Sequence, residues 1–579
     1  MNIEHVEKSY QELESDSTLQ NLIAQANARY ILYNTEESKE NFPRYTIKDE
    51  QLNILAFKYL NIGCNYFSEH NYLKASHSLE KGALILEYIH GSIHIQTKNK
   101  KLFCLISALS YYVCFQYSKA FILIGKLESD TMISSLVSLF LNRKFDQLLS
   151  EIDKLITNSS YGDEYLAEHF EEDNATKIYE IIIAKSLNYY VQFYQTGNKD
   201  FLEIAKKDLV NLQEVAAMRG EPDVWWVIRL LLLIIDGFKE SSLWYVLGNY
   251  FNTEDKLPLK YIQSLVYKNG SITELFLTQR NSLPKVLNNK QGSIVSIPTS
   301  SGKTRIGEIA ILNCLLNEPK AKILFIAPYR SLAYEIENSF DEIFSNLDVS
   351  VSHLYGGSLF SKLDERIIDE SSVIVATPEK AKALFRSNED ILSCIKLVII
   401  DEGHLLGTDK RLIVNEMFYE ELKYHVKANG GRFLLLSAVL PNAEDLSEWL
   451  TDSTDNVYKE NWRPSDERIG IMEWNGVSVN LNWKSTDAER NSFNPNFIMR
   501  QKLPKKPKER IMHYFPENKN QAIASTAYKL RKFGPVLIFV GIKKSVFAIA
   551  REYEKCIQPE EQKFRFRNKA NWRALNWLA

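Results

Sequence analysis

Five short apolar runs, each followed by a helical stretch, constrain the fold of the middle of the chain most strongly. Each run is rich in β-branched or aliphatic residues without polar alternation, as is typical of strands buried on both faces. Because these strands alternate with helices, they predict an α/β lobe built on a parallel sheet. The runs are SIVSI (293–297), KILFIAP (322–328), SVIVATP (372–378), KLVIIDE (396–402) and RFLLLSAV (432–439). A similar run, PVLIFVG (535–541), predicts a further strand much later in the chain.

Residues 1–265 have a different character, because apolar residues recur there at helical spacing and proline is sparse. This pattern predicts an all-α N-terminal domain. Two hypotheses for it stay open: an ordinary helical domain, or a stack of tetratricopeptide-like hairpins. The residues at tetratricopeptide-like spacing are Ile62, Gly63, Tyr66, Ala75, Leu79 and Gly82 in one hairpin and Ala108, Tyr111, Ala120 and Ile124 in the next.

Composition excludes several classes of protein. The formal net charge of the 579 residues is -3, so any nucleic-acid binding needs a local basic face or groove and not bulk charge. The six cysteines form no CxxC pair, which argues against a zinc site or a disulfide framework. No apolar run approaches the roughly 20 residues that cross a bilayer. We therefore expect a cytoplasmic protein with no membrane partner.

The loop IPTSSGKT (297–304) lies between the strand SIVSI and a helical stretch. Backbone N–H groups of such a loop, together with the positive end of a helix, can converge on phosphate oxygens. Lys303 is expected to reach the β- and γ-phosphates, and the Thr304 hydroxyl to hold Mg²⁺. Ile297 stands where the usual motif has its first glycine. The predicted phosphate-binding residues of this loop are Thr299, Ser300, Ser301, Gly302, Lys303 and Thr304.

A second motif, Asp401-Glu402-Gly403-His404, directly follows the buried strand KLVII. Mg²⁺ prefers hard carboxylate ligands, which fits Asp401. The water that attacks a γ-phosphate needs a base and an aligning group, which fits Glu402. Placed in the same parallel sheet as the phosphate loop, the acidic pair predicts an ATP- and magnesium-dependent catalytic site formed by Lys303, Asp401 and Glu402.

Together these two motifs resemble those of superfamily 2 helicases of the DExH type, and further motifs come in the expected order over about 270–555. The resemblance implies a RecA-like lobe that binds ATP, with Gln279 and His404 among the ATP-binding residues, and Ser437-Ala438 as the coupling element. The residues that it implies for sequence-independent contact with an RNA or DNA backbone are Pro328, Arg330, Ser331, Gly356, Gly357, Thr377, Pro378 and Lys380. Trp462-Arg463-Pro464 resembles the segment that leaves the lobe, and Leu537 to Val540 resembles the first motif of a second lobe.

The sequence departs from the family pattern in two further places. Val439 replaces the usual threonine of the coupling element, and no QxxGRxGR-like stretch comes after 535–541. We therefore expect only the start of the second RecA-like lobe. The predicted domains are 1–265 (helical, with possible repeats), 266–460 (ATP-binding lobe), 461–510 (a linker or exit segment, partly basic) and 511–579 (partial second lobe).

The sequence supports three functional hypotheses. The first is an ATP-dependent helicase or translocase. The second is a motor subunit of a prokaryotic anti-phage defence or restriction complex, which docks a protein partner through residues 1–265. The third is a hydrolysis-deficient, ATP-binding regulatory protein.

Overall fold

The computed structural model describes residues 3–34, 49–90, 97–125, 127, 131–157, 172–354, 366, 368–387, 393–405, 410–438, 440–464, 468–485, 492–503, 512–532 and 534–557. The chain forms two compact units. One comprises residues 1–66, 81–104 and 466–579, and the other comprises residues 67–80 and 105–465. The units are cut differently from the domains that the sequence predicts, because helical residues 105–265 group with the α/β lobe. The domain boundaries stay a prediction.

The described part of the N-terminal region is helical, as the apolar spacing predicts. Local signals set several helix ends. Thr131 and Ser134 form a capping box at the start of α7, and Gly220 ends α10 in a left-handed conformation (φ 70°). The helices are α1 (Ile3–Ser15), α2 (Ser17–Asn34), α3 (Asp49–Ser68), α4 (Tyr72–His90), α5 (Thr97–Val113), α6 (Tyr117–Ile124), α7 (Met132–Leu141), α8 (Phe145–Thr157), α9 (Glu172–Thr196), α10 (Asp200–Arg219), α11 (Pro222–Ser241), α12 (Leu243–Gly248) and α13 (Lys256–Tyr267).

The positions at tetratricopeptide-like spacing are buried helical residues. Ala75, Leu79 and Ala108 are fully buried, and a Cβ on Gly82 would lie 2.7 Å from the Leu60 side chain. The small residue therefore permits the close approach of α3 and α4. Close packing of this kind fits both hypotheses for the helical region, so the choice between them stays open.

The α/β lobe has a seven-stranded sheet with the order β3-β4-β2-β5-β6-β1-β7, and every described pairing in it is parallel. The predicted fold class is thus confirmed for this lobe. Its strands are β1 (Gly292–Ser296), β2 (Lys322–Ile326), β3 (Val351–Leu354), β4 (Val373–Ala376), β5 (Ile395–Ile400), β6 (Arg432–Ser437) and β7 (Val457–Lys459). Its helices are α14 (Leu277–Leu287), α15 (Lys303–Asn317), α16 (Arg330–Phe344), α17 (Pro378–Ser387), α18 (Lys410–Ala428) and α19 (Ala443–Thr451).

Helices cover both faces of this sheet. A core cluster joins strand residues such as Leu324 and Val398 to Phe385 of α17, Phe418 of α18 and Leu450 of α19. Helix α13 of the helical region packs against α15 and α16. Parallel strands covered in this way end at one common edge, where the loops after β1, β2, β4, β5 and β6 meet.

The segment predicted as a linker instead contains a three-stranded antiparallel sheet, β10-β9-β8. Its buried residues Val479, Leu481 and Phe497 form a small core together with Ala522 of the following helix. The linker interpretation is wrong for these residues, because alternating apolar side chains give the strands a core of their own. The elements are β8 (Arg468–Trp474), β9 (Ser478–Ser485), β10 (Ser492–Met499), β11 (Gln501–Lys502), β12 (Tyr514–Phe515), α20 (Lys519–Leu530) and α21 (Lys543–Cys556).

The strand predicted at 535–541 is not formed among the described residues. Leu537 and Phe539 are 92% and 91% exposed, whereas Ile538 and Val540 face a cavity beside α20 and α21. A strand requires a hydrogen-bonded neighbour, and in the described part of the chain this segment has none. The second-lobe interpretation of residues 511–579 stays a prediction.

No helix within the described ranges is both long and apolar enough to span a bilayer.

Candidate functional site

The loop after β1 has the backbone geometry of a phosphate-binding turn. Ser300 and Gly302 adopt left-handed conformations with φ of 69° and 79°, and α15 begins at Lys303. Thr299 and Ser300 are exposed, whereas Ser301 is fully buried. Thr299 and Ser300 thus face solvent just before the start of a helix, where backbone N–H groups can bind an anion. Ile297, in place of glycine, is buried and donates its N–H to Ser437 O at 3.1 Å, so no glycine is needed there.

Side chains from outside the motif hold the base of this loop. Thr278 Oγ1 donates to Ser301 O at 3.3 Å, and Gln279 Nε2 donates to Gly302 O at 3.0 Å. Ser301 Oγ in turn donates to Trp462 O at 3.3 Å. A Cβ on Gly302 would lie 2.0 Å from Gln279 Nε2, so the glycine permits the close approach as well as the left-handed turn. Gln279, predicted to bind ATP, therefore positions the loop in this structure.

The structure brings the predicted catalytic lysine and the acidic pair together. Lys303 Nζ lies 3.3 Å from Glu402 Oε2 and 3.5 Å from Oε1, and their side chains are 10% and 24% exposed. Asp401 continues the β5 ladder by donating its N–H to Ile326 O at 2.9 Å. Its Oδ1 accepts the Glu402 N–H at 2.9 Å, and Glu402 adopts φ 53°. This turn directs two carboxyl groups towards the phosphate loop at the same edge of the sheet.

Burial and the neighbouring Glu402 charge raise the pKa of Asp401 from its ordinary value to about 6, although the Glu402 N–H and Lys303 oppose the shift. Two adjacent carboxylates with one lysine leave an excess of negative charge in a partly buried place. A divalent cation would relieve that repulsion, so the electrostatics fit a magnesium ion.

Gly403 and His404 complete the turn after β5. A Cβ on Gly403 would lie 2.6 Å from the buried side chain of Leu435, which explains a glycine at this position. His404 Nδ1 lies 3.1 Å from Glu402 Oε2 and 3.4 Å from Ser437 Oγ. The histidine thus contacts both Glu402 and Ser437 of the predicted coupling element.

The predicted coupling residues also contact the strand that leads into the phosphate loop. Ser296 Oγ donates to Ala438 O at 3.3 Å and accepts the Leu440 N–H at 2.8 Å. Together with the bond from Ile297 to Ser437, these contacts join the end of β6 to the end of β1. Val439 lies outside the described residues.

The residues predicted to contact nucleic acid differ in their exposure to solvent. Arg330 and Ser331 are exposed at the start of α16, and Pro328 and Pro378 line a cavity of about 30 Å³ together with Asp401. Two others are buried in this conformation, Thr377 at 3% exposure and Lys380 at 5%. Gly356 and Gly357 lie outside the described residues. Contact with a strand through this set stays a prediction.

The donor set fits a magnesium nucleoside triphosphate. Lys303 and the open turn at Thr299 and Ser300 offer positive charge and N–H donors for phosphates. Asp401 and the Thr304 hydroxyl are hard oxygen ligands, of the kind that Mg²⁺ prefers. Thr278 is a member of the site that the sequence motifs do not predict. Its position next to Gln279 was the sequence feature that could have identified it. No sequence feature indicated that Trp462 contacts the loop.

The chain is similar to several known proteins. Residues 277–446 match the family model described as DEAD/DEAH box helicase. Hachiman protein HamB of Bacillus cereus is 39% identical over 579 residues, which is 99% of this chain and 51% of that protein. ATP-dependent DNA helicase Hel308 of Thermococcus kodakarensis is 33% identical over 218 residues, 38% of this chain and 18% of that protein. The crystal structure of DUF1998 helicase MrfA bound to DNA aligns with 19% identity and a TM-score of 0.31, covering 34% of this chain and 29% of that one. The chain therefore spans about half the length of HamB and a smaller share of the Hel308 protein.

Proposed function

We propose that this chain, which belongs to the superfamily 2 helicases of the DEAD/DEAH type, couples ATP hydrolysis to movement along DNA. The observation that carries the proposal is the approach of Lys303 to Glu402, 3.3 Å apart, beside Asp401 at the carboxyl edge of the parallel sheet. Identity to proteins named ATP-dependent DNA helicase supports DNA as the strand. We expect the protein to act in the cytoplasm.

In this mechanism Lys303 changes partners. Without nucleotide its ammonium group is neutralised by Glu402. When phosphates occupy the loop, the ammonium group and the N–H donors of the turn carry the phosphate charge, and Glu402 is released to accept a proton. Asp401 and Thr304 would hold Mg²⁺, which supplies charge neutralisation to the triphosphate. As the oxygen of the attacking water bonds to the γ-phosphorus, the bond to the leaving diphosphate breaks, and the water's proton passes to Glu402.

The exposed start of α16 supports a grip on a phosphate backbone. Arg330 and Ser331, the first two residues of α16, present a positive charge and a hydroxyl directly after the loop that follows β2. Such contacts carry little sequence information, so the proposed grip is independent of base sequence. The bonds from Ser437 and Ala438 to the end of β1 offer a route by which phosphate occupancy reaches the rest of the lobe.

The test is steady-state ATP hydrolysis with and without single-stranded DNA. We expect stimulation by DNA, and loss of at least about 100-fold in kcat/KM when Lys303→Ala removes the phosphate charge partner. Lys427→Ala is the matched control, because its ion pair with Asp452 (2.5 Å) lies just before β6, at the opposite edge of the sheet. Equal rates for wild type and Lys303→Ala would refute the proposal. Equal, slow single-turnover rates for wild type and Glu402→Gln would favour the ATP-binding regulator instead.

A second function, as the motor subunit of a prokaryotic anti-phage defence complex, is supported by the 39% identity to Hachiman protein HamB along 99% of the chain. The helical region would then dock a protein partner. The complete protein, expressed with its neighbouring genes in a bacterial host, should reduce plaque formation, and Lys303→Ala should abolish the reduction. Equal plaque numbers with and without the genes, over a panel of phages, would exclude this role.

A further inference from the structure

We propose that the helical region sets the nucleotide affinity of the phosphate loop through a buried network centred on Glu274, in which Glu274 and Arg143 act as positioning residues. The inference rests on the proposed ATP-binding function. All residues that carry it belong to the compact unit that includes residues 105–465.

Glu274 is 6% exposed, and residues from three helices and from the turn between α7 and α8 engage its carboxylate. Tyr117 Oη donates to Oε1 at 3.1 Å, and Ser241 Oγ donates to the same atom at 2.8 Å. Tyr112 Oη donates to Oε2, and Arg143 Nη2 forms an ion pair with Oε2 at 3.4 Å. A buried carboxylate with this many donors is held in one place, because a displacement would break several hydrogen bonds and separate the carboxylate from the Arg143 charge.

The backbone on either side of Glu274 is fixed to the end of α11. Thr273 O accepts the Leu243 N–H at 3.0 Å, and Leu275 donates its N–H to Ser241 O at 2.8 Å. Arg143 adds a bond from Nη1 to Ser271 O at 3.2 Å. The segment 271–275 is therefore tied to the helical region by side-chain and backbone bonds together.

The next five residues carry this tie to the phosphate loop. Phe276 donates its N–H to Gln279 Oε1 at 2.8 Å, which orients the amide so that Nε2 reaches Gly302 O at 3.0 Å. Thr278 Oγ1 holds Ser301 O at 3.3 Å. The Arg280 guanidinium, directly after Gln279 in the sequence, lies 4.4 Å from the centroid of the Phe115 ring and so anchors α14 to the helical region.

Beside this chain of bonds, open space separates the helical region from the α/β lobe. A cavity of about 730 Å³ lies between α6 on one side and α15 and α16 on the other, and its lining includes Phe121, Phe276, Arg305 and Leu332. Continuous packing cannot transmit a displacement across an open space. Helix α13 packs against α15 and α16 but contributes no residue to the lining of this cavity, whereas Glu274, Gln279 and Gly302 do. Beside the cavity, the helical region therefore reaches the phosphate loop through Glu274 and the segment that follows it.

The experiment measures the dissociation constant of Mg·ATP for the complete chain, by titration with a fluorescent ATP analogue and competition with ATP. Glu274→Gln keeps the shape of the side chain and removes its charge, leaving Arg143 uncompensated. We expect its dissociation constant to rise about tenfold, and KM for ATP to rise while kcat at saturating ATP stays close to the wild-type value. Tyr117→Phe, which removes one donor and keeps the ring, should raise the constant by a smaller factor.

Tyr190→Phe is the matched control. Its hydroxyl is buried in the same helical region and donates to Leu231 O at 3.0 Å, and no described contact joins it to Glu274. Thermal unfolding of the variants reports any general loss of stability. The inference is overturned if Glu274→Gln and Tyr117→Phe bind Mg·ATP as tightly as wild type, or if Tyr190→Phe weakens binding as much. If wild type and Lys303→Ala bind ATP equally weakly, the proposed function fails, and this inference fails with it.

Discussion

The ion pair between Lys303 and Glu402 makes an unusual prediction for Glu402→Gln: binding of ATP should tighten while hydrolysis slows. The two groups are 3.3 Å apart, so their Coulomb attraction is about 5 kcal/mol at an effective dielectric constant of 20 and about 1 kcal/mol in water. Their side chains are 10% and 24% exposed, and desolvation offsets much of the larger figure. A net competing interaction of about 1 kcal/mol corresponds to a roughly fivefold lower dissociation constant when it is removed.

Hydrolysis should change in the opposite direction, because glutamine cannot accept the proton of the attacking water. Loss of a general base typically lowers a rate by about 10² to 10⁴. Equilibrium titration with Mg·ATP and single-turnover hydrolysis measure the two effects on the same protein sample. Glu444→Gln is the control, since it removes the carboxylate of a surface ion pair with Lys459 on the same lobe and should change neither quantity. Weaker ATP binding by Glu402→Gln, or an unchanged rate, would refute the exchange of partners by Lys303.

Two further predictions concern the turn after β5. The pKa of Asp401 is raised to about 6, and Mg²⁺ requires the carboxylate, so affinity for Mg·ATP should fall as pH drops through 6, about tenfold at pH 5. The midpoint of this pH titration should move to lower pH in Glu402→Gln, because the neighbouring charge is removed. Protonation of ATP itself affects the titrations of wild type and variant equally. Gly403→Ala would bring a Cβ to 2.6 Å from Leu435 and should lower stability by about 1–3 kcal/mol, seen as a lower Tm, whereas Gly541→Ala, with open space around the new methyl group, should leave the Tm unchanged.

The α/β lobe and the meeting of Lys303 with Glu402 were predictable from the sequence, because both rest on local patterns. A buried apolar run specifies a strand, parallel strands end at one edge, and the residues that come after them must therefore converge there. The presence of Ile297 in place of glycine is compatible with the predicted phosphate loop, because that position does not adopt a left-handed conformation.

Contacts between distant parts of the chain were not predictable in the same way. Trp462 reaches the phosphate loop across 161 positions of sequence, and the bonds of Glu274 with Tyr112 and Arg143 span 162 and 131 positions. No local pattern marks such partners. The burial of Lys380 could not be predicted either, because a lysine in a motif that resembles a nucleic-acid-binding loop is expected to be exposed. Only the packing of neighbouring elements shows that it is buried.

The segment 535–541 is an apolar run that has no neighbouring strand in the described part of the chain. Its backbone N–H and C=O groups have no ladder to join there, and Leu537 and Phe539 stand in water. Any polypeptide that can lie alongside it in an extended conformation would gain hydrogen bonds and bury two large side chains at once. Preparations of these 579 residues at high concentration should consequently self-associate through this edge, and a lysine at either exposed position should restore monodispersity.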